Sequence, residues 1–191
     1  MTHNKANKSK ILALILGLTM CISLMLGIVF ASPTSTVYAE GETLTPYDRI
    51  YINSEALNSG WYLDEYYTQK KGNPTSDYVA KYKDGVLTLN NYHGGEIGTS
   101  APASGYYKID LIGENTINGG QRGVFIDTSK EGRVTITSSV NGKLTINVSS
   151  ATSVWGIACG ASNSVKTTDV VIGGNAQVTI NATSNGENCQ V

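Results

Sequence analysis

A four-residue pattern recurs along the chain from residue 87 and closes each time on asparagine, and apart from Asn115 its residues alternate between apolar and polar side chains. Its copies read LTLN, NTIN, LTIN and VTIN and begin at Leu87, Asn115, Leu144 and Val178. The closing asparagines are 28, 29 and 34 residues apart. Such alternation predicts a strand with one buried face. A period near 30 residues predicts stacked repeats.

Two other short strands accompany these tetrads. Apolar-flanked triplets precede three of them, at residues 109–111, 134–136 and 170–172. Glycine-led segments follow them, at residues 123–126, 156–159 and, with a weaker match, 186–189. Three strands per period predict an all-β fold, a short parallel β-helix of about four coils whose equivalent strands stack about 4.8 Å apart. A β-sandwich, which also uses many short strands, is the alternative.

The closing asparagines have a structural interpretation. We expect Asn90, Asn118, Asn147 and Asn181 to stack at one corner of the coil. Each amide can then donate a hydrogen bond to the next one. Asparagine side chains at turns mostly satisfy nearby backbone groups. The pattern therefore favours a structural ladder over a ligand site.

The first forty residues predict export. Lys5, Lys8 and Lys10 precede an uncharged run over residues 11–30, and small Ala39 lies at a suitable cleavage position. This is typical of a secretory signal over residues 1–39. The run is also long enough for an uncleaved transmembrane anchor, which is the alternative. Both interpretations place the remaining chain outside the cell, secreted or at the surface, with membrane contact confined to this segment.

Charge excludes one class of partner. The whole chain has a formal net charge of −1, and the 11 basic against 15 acidic residues beyond Ala39 give −4. No basic cluster follows residue 10. Proteins that bind nucleic acid need such a cluster to neutralise phosphates, so we expect no nucleic-acid partner.

The two ends of the exported part differ in composition. Ten tyrosines lie between Tyr47 and Tyr107, before the clearest repeats. Residues 40–77 are therefore predicted to form a lead-in segment that caps the first coil, because an open stack of strands exposes backbone and apolar groups. Residues 78–191 form the predicted repeat domain. Val191 falls within the third strand of the last coil, which suggests a truncated fragment, an edge that contacts another molecule, or a frayed edge.

Catalytic signals are weak. His93 is the one histidine beyond the targeting segment, and no Gly-x-Ser-x-Gly elbow occurs, so serine-hydrolase chemistry lacks its parts. No ligand spacing predicts a metal, and no cofactor is expected. Calcium stays an alternative, although no loop motif indicates it. Lys108, Arg133 and Asp169 are expected to align as a surface charge stack. The prediction is a non-enzyme, although a carboxylate pair of the glycosidase kind stays an alternative.

Two cysteines repeat the same spacing. Cys159 and Cys189 are 30 residues apart and are predicted to occupy equivalent places in the third strand. They would stack as small reduced thiols or form a disulfide in an oxidising exterior. The near-parallel side chains of stacked strands slightly favour thiols.

Adjacent aromatic residues are the best candidates for ligand contact. On a strand, one member of each pair faces outward. Exposed rings can bind the apolar face of a sugar, whereas their alternative role is to fill the cap. The candidate residues are Trp61, Tyr62, Tyr66, Tyr67, Tyr106 and Tyr107.

The segments DGVLTLNNY at residues 84–92 and IDLIGENTI at residues 109–117 carry a family resemblance. With the tyrosine-rich lead-in, they resemble secreted Gram-positive surface proteins with right-handed parallel β-helix repeats, which are often described as carbohydrate-binding and are similar in shape to pectate lyases. The catalytic clusters of the pectin-cleaving relatives have no match here. The resemblance implies binding of polysaccharide or cell-wall material. The alternatives are an adhesive module that contacts itself or another surface protein through the last coil, and a polysaccharide lyase or hydrolase.

Overall fold

The computed structural model describes residues 44–101, 104–128, 131–159, 168–185 and 188–190. These residues form an all-β structure, and none of them is in an α-helix. No helix in the described ranges has the length and apolarity needed to cross a membrane. The predicted export segment, residues 1–39, lies outside the described residues.

Short strands follow one another closely. The first nine strands are β1 (Thr45–Pro46), β2 (Arg49–Ile52), β3 (Glu55–Asn58), β4 (Trp61–Leu63), β5 (Gln69–Lys71), β6 (Ala80–Lys83), β7 (Val86–Asn90), β8 (His93–Gly94) and β9 (Ile97–Ala101). The other nine are β10 (Gly105–Ile112), β11 (Glu114–Gly119), β12 (Arg122–Thr128), β13 (Gly132–Thr137), β14 (Lys143–Ser150), β15 (Ser153–Cys159), β16 (Thr168–Ile172), β17 (Gln177–Ser184) and β18 (Asn188–Gln190).

The strands form three sheets. Sheet I has the order β16-β13-β10-β7-β6-β4-β5, with β1 also paired to β10. Sheet II has the order β17-β14-β11-β8, and sheet III has the order β18-β15-β12-β9-β2-β3. From β7 onward the chain visits sheets I, II and III in turn, and we call each such passage a round. The rounds are β7–β9, β10–β12, β13–β15 and β16–β18, and equivalent strands of successive rounds pair in parallel.

Residues before β7 pair differently. Strands β2 and β3 form an antiparallel hairpin on sheet III, and β5, β4, β6 and β7 are antiparallel neighbours in sheet I. We call residues 44–83 the cap. Its last strand joins β7 through Asp84 and Gly85, whose φ angles of 49° and 81° suit a two-residue hairpin turn. Antiparallel pairing thus continues beyond residue 77, the predicted end of the lead-in segment.

The core lies on the inward faces of the sheets. Strand β10 alternates strictly between buried and half-buried residues, and its inward positions include Tyr107, Ile109 and Leu111. Because successive side chains of a strand point to opposite faces, this alternation gives one apolar face. The cap contributes buried residues such as Tyr82 and Leu57 to the same hydrophobic cluster.

The strand register agrees with part of the predicted alignment. The last three tetrads lie side by side in sheet II, so Asn118 is opposite Asn147 and Asn147 is opposite Asn181. The predicted place of Asn90 is wrong. Its strand, β7, is in sheet I, where Asn90 is opposite Ile112. The hairpin with β6 commits β7 to that sheet.

A two-residue offset separates the predicted and observed register of β10. Ile109 is opposite Ile136 instead of Val134, because Gly105 and Gly132 begin the pairing. A shift by an even number keeps every side chain on its predicted face. The predicted charge stack is also incomplete for this reason. Arg133 is opposite Asp169, whereas Lys108 is opposite Thr135.

The predicted pairing of Cys159 with Cys189 is wrong at the level of the backbone. Cys159 is opposite Ile126 in β12, and Cys189 is opposite Val154, five residues before Cys159 in β15. Five strand residues span roughly 16 Å. A disulfide needs α-carbons within about 7 Å, so this register permits neither a bond nor a stack.

Candidate functional site

A pocket opens in the cap between the β2–β3 hairpin and the turn that joins β4 to β5. Its volume is about 210 Å³. The floor is apolar, one wall is an aromatic ring, and the remaining lining is polar. The floor residues are Ile52, Leu57 and Leu63, the wall is Tyr67, and the polar residues are Asn53, Glu55 and Gln69. We call it the Tyr67 pocket.

The β2–β3 hairpin positions the first polar groups. Ile52 and Glu55 are paired across a two-residue turn, in which Asn53 and Ser54 have φ angles of 52° and 66°. Two positive φ angles define the turn type that best matches the twist of a hairpin. The amide N–H of Asn53 also donates to the Glu96 carbonyl at 3.0 Å. This bond fixes the hairpin tip against the chain that leads into β9.

Close packing beneath Asn53 requires a glycine. A Cβ atom at Gly95 would lie only 2.0 Å from Oδ1 of Asn53. Real atoms do not approach so closely, so any larger residue at position 95 would displace the amide. The side of the pocket formed by Asn53 therefore depends on the absence of a side chain at Gly95.

Asp64 shapes the opposite side of the pocket. Its Oδ1 accepts hydrogen bonds from the backbone N–H groups of Tyr66 at 3.0 Å and Thr68 at 2.9 Å. Its Oδ2 forms an ion pair with Nζ of Lys70 at 2.7 Å. Lys70, followed by these N–H groups, lowers the pKa of the Asp64 carboxyl below its ordinary value of 3.8. The charged carboxylate thereby holds the tight turn that carries Tyr66 and Tyr67.

Tyr67 is held in an unusual backbone conformation. Its φ angle is 61°, which is rare for a bulky residue and costs about 1–3 kcal/mol. The hydroxyl donates to the carbonyl of His93 at 2.7 Å and accepts from the His93 N–H at 2.9 Å. The ring also contacts Tyr92 with centroids 5.8 Å apart. These contacts fix the ring at the wall of the pocket.

One buried tyrosine, Tyr92, packs against this wall. Tyr92 is fully buried, and its hydroxyl donates to the Gly95 carbonyl at 3.2 Å. Burial raises the pKa of the Tyr92 phenol well above its ordinary value, and the same holds for Tyr82 in the cap. Both rings are therefore neutral packing groups throughout the physiological pH range.

The six aromatic candidates do not form one site. Tyr67 lines the pocket, and the neighbouring Tyr66 is 79% exposed on the same turn. Trp61 is half-buried against the core. Tyr62 and Tyr106 are half-buried on strands of sheet I.

Tyr107 is a core residue, so its prediction as a ligand-binding residue is wrong. It is fully buried and its hydroxyl donates to the Phe125 carbonyl. Its neighbour Tyr106 occupies the outward position, as alternation along β10 requires.

Sequence reasoning missed the polar side of the pocket. Asn53, Glu55 and Gln69 are isolated polar residues in a lead-in segment and match no ligand motif. One signal could have indicated it. Asn53 and Ser54 lie between two short segments of strand-forming residues, which is consistent with a two-residue hairpin turn. Such a turn places the residues on either side of it next to each other.

The asparagine ladder of sheet II has the expected hydrogen bonds. Nδ2 of Asn147 donates to Oδ1 of Asn118 at 2.9 Å, and Nδ2 of Asn181 donates to Oδ1 of Asn147 at 2.8 Å. Asn90 is not a rung, because its amide donates instead to the carbonyl of Tyr78 at 3.2 Å. The ladder is a structural feature, and its amides are occupied by one another.

Other charged groups form surface pairs. Arg133 contacts Asp169 at 3.1 Å, and Arg122 contacts Asp127 at 3.1 Å. Lys143 pairs with Glu114 at 2.9 Å and lowers the pKa of that carboxyl. Within the described ranges, no three His, Cys, Asp or Glu side chains are grouped to hold a metal ion.

No protein-family model, curated protein or solved structure matches this chain.

Proposed function

We propose that this chain is an exported, non-catalytic module that binds polysaccharide or cell-wall carbohydrate through the Tyr67 pocket. We further propose that its strands wind as a right-handed parallel β-helix of four coils. The fixed visiting order of the three sheets and the parallel pairing of successive rounds support the winding. The general preference for right-handed parallel connections supports its hand. The basic and apolar segment over residues 1–39 supports export.

The Tyr67 pocket carries the binding proposal. A sugar ring has an apolar face of C–H groups and a rim of hydroxyls. An aromatic ring can cover the first, and amides or carboxylates can hydrogen-bond the second. The pocket offers Tyr67 beside an apolar floor and places Asn53, Glu55 and Gln69 around it. Such a combination of apolar surface and few convergent polar groups is typical of ligand sites.

The backbone of Tyr67 supports a functional role for the same residue. Strained conformations persist where the surrounding structure over-determines them, and they cluster at binding sites. Here the backbone N–H of Tyr67 donates to the Asp64 carbonyl, and the Tyr67 hydroxyl bonds to the backbone of His93. A ring that is already fixed loses little conformational freedom when a ligand binds.

The pocket is small and has few acidic groups. At about 210 Å³ it is below the ~300–1,000 Å³ of sites for drug-sized ligands, so it fits one ring of a longer chain. Glycosidases use two carboxyl groups on either side of the bond that they cleave. Glu55 is the one carboxylate among the described lining residues, which favours binding over hydrolysis.

Titration of the purified protein with soluble plant, fungal and bacterial wall glycans, followed by calorimetry, tests this function. We expect Gln69→Ala to weaken binding about fivefold and Tyr67→Ala to weaken it more than about tenfold. Tyr66→Ala is the matched control, since Tyr66 lies on the same turn outside the pocket.

Circular dichroism separates lost binding from lost folding for Tyr67→Ala. Gln69→Ala keeps the test informative, because Gln69 is half-buried at the start of β5 and holds no turn. Absence of binding to any glycan would contradict the proposal. So would binding that Tyr106→Ala reduces while Gln69→Ala and Tyr67→Ala leave it unchanged.

A second candidate function is adhesion through the last round. Val170 and Ile172 of β16 are 43% and 51% exposed, although their strand pairs with the buried β13. No strand of the described residues covers the outer edges of β16, β17 and β18. Open edges pair readily with other chains. Sedimentation at increasing concentration should then show self-association that Ile172→Lys abolishes, whereas a monomer at all concentrations would contradict this function.

A further inference from the structure

We propose that the Tyr67 pocket selects a positively charged sugar ring, that is, an amino sugar whose amine is free and protonated. This inference depends on the proposed function, because it names the ligand class of the same pocket. It concerns the charge of the ligand, whereas the proposed function requires only that a carbohydrate binds.

Glu55 gives the pocket its charge. Among the lining residues that the structure describes, it is the single carboxylic acid, and none of them is a lysine, arginine or histidine. In the part of the chain that the structure describes, no ion pair joins Glu55 to a basic side chain. Glu55 is exposed at the rim of the pocket, and a carboxylate without a counter-charge there attracts a cation and disfavours an anion.

Nearby lysine does not supply the missing charge. Lys70 follows the pocket residue Gln69, but its ammonium contacts Asp64 at 2.7 Å. This pairing raises the pKa of Lys70 and lowers that of Asp64. The two charges compensate each other, so the pocket keeps the net negative charge of Glu55.

Tyr67 presents a ring face and no free donor. Its hydroxyl already donates to the His93 carbonyl and accepts from the His93 N–H. The residue as a whole is 37% exposed. An aromatic face attracts a cation through its quadrupole. The ring and the Glu55 carboxylate thus favour the same ligand charge.

The amides complete the selection. Asn53 and Gln69 each offer a donor and an acceptor, which matches sugar hydroxyls. An N-acetylated sugar would bring a larger and neutral group to the same small pocket. Its acetamide would leave Glu55 without a charged partner, so we expect the acetylated ring to bind more weakly than the free amine.

Three oligosaccharides of equal length test the inference. They are a β-1,4-glucosamine oligomer, its fully N-acetylated counterpart and the corresponding glucose oligomer. Affinities are measured by calorimetry at about pH 6, where the amines are protonated. We expect the glucosamine oligomer to bind about tenfold more tightly than the other two. Glu55→Gln should remove this preference and leave affinity for the glucose oligomer nearly unchanged.

Glu65→Gln is the matched control. Glu65 is an exposed acid ten residues further along the cap and does not line the pocket. If Glu65→Gln reduces the preference as much as Glu55→Gln, the attraction is a general surface effect and the inference is overturned. Equal binding of all three oligomers that still requires Tyr67 and Gln69 would overturn the inference and leave the proposed function standing. No binding of any oligomer or wall glycan would overturn both.

Discussion

The first three rounds and the last round present the same sequence pattern in different surroundings. Leu87, Ile109, Ile136 and Ile172 are opposite one another on consecutive strands of sheet I. The first three are fully buried, whereas Ile172 is 51% exposed. The cap covers one end of this column through Tyr82, which is opposite Leu87. An apolar residue on the inward face is therefore buried only where strands of the same stack lie on both sides of it.

The largest expected effect is on the stability of this column. Ile109→Ala and Ile136→Ala should each cost about 4 kcal/mol, because each removes fully buried methyl groups and leaves a cavity. Ile172→Ala should cost less than about 1 kcal/mol, because much of its side chain is already exposed. The midpoint of urea unfolding measures all three.

The relative loss of stability in these variants also tests whether the last round is exposed in solution. If Ile172→Ala were as costly as Ile136→Ala, the last round would be covered in solution. That outcome would favour the adhesive function over an open edge.

Equivalent glycines of sheet III give the next largest difference. Gly123 and Gly156 occupy the same place in β12 and β15. A Cβ at Gly123 would lie 2.2 Å from Cγ2 of the buried Ile146 and 2.7 Å from the Gly156 carbonyl. A Cβ at Gly156 would lie 2.3 Å from Cγ2 of Ile180, which is only partly buried.

We therefore expect Gly123→Ala to cost about 3 kcal/mol and Gly156→Ala about 1 kcal/mol, since a rigid neighbour resists overpacking more than a mobile one. Thermal unfolding measures both variants. Gly120→Ala is the control, because nothing lies within 4 Å of the position that its methyl group would take. A larger loss at Gly156 would show that the last round is packed as tightly as the middle rounds.

The asparagine ladder predicts a smaller effect. Asn147 both donates to Asn118 and accepts from Asn181, so Asn147→Ala breaks two hydrogen bonds. Asn181→Ala breaks one. We expect losses of about 1 kcal/mol and about 0.5 kcal/mol, typical of partly exposed hydrogen bonds. If the two variants had equal melting temperatures, the interior residue Asn147 would contribute no more stability than the terminal residue Asn181.

We expect the smallest change in stability at acid pH, where the Asp64–Lys70 pair of the cap differs from the Glu114–Lys143 pair of sheet II. The pKa of Asp64 is lowered chiefly by Lys70 and that of Glu114 chiefly by Lys143. A lowered pKa in the folded state stabilises the fold above the unfolded-state pKa, near pH 4. This stabilisation is lost as the pH falls through the lowered value.

Asp64→Asn should accordingly flatten the acid side of the stability profile below about pH 4, and Glu114→Gln should flatten it less. The reason is exposure, since the side chain of Asp64 is 9% exposed and that of Glu114 is 75% exposed, where solvent screens the pair. Melting temperatures across the acid range measure the difference. A steeper acid limb in Asp64→Asn would contradict the assignment.

The candidate site could be predicted only in part from the sequence. Paired aromatic residues pointed to Tyr66 and Tyr67, and of these Tyr67 lines the pocket. Nothing local distinguished Tyr67 from Tyr107, which is equally aromatic but fully buried. The difference arises because Asp64 turns the chain at Tyr67, while β10 runs straight past Tyr107.

The sequence alone specified the strands and their inward faces, because buried and more exposed residues alternate with a period of two in segments such as β10 and β14. It also determined the hydrogen-bonded ladder of Asn118, Asn147 and Asn181, since the same tetrad returns in the same strand position. Which neighbour each strand pairs with depended instead on packing between distant segments of the chain. A hairpin drew the first tetrad into sheet I, the register of β18 separated the two cysteines, and two cap turns brought Asn53, Glu55, Tyr67 and Gln69 around one pocket. Pairing partners are set by long-range packing, which a local pattern does not record.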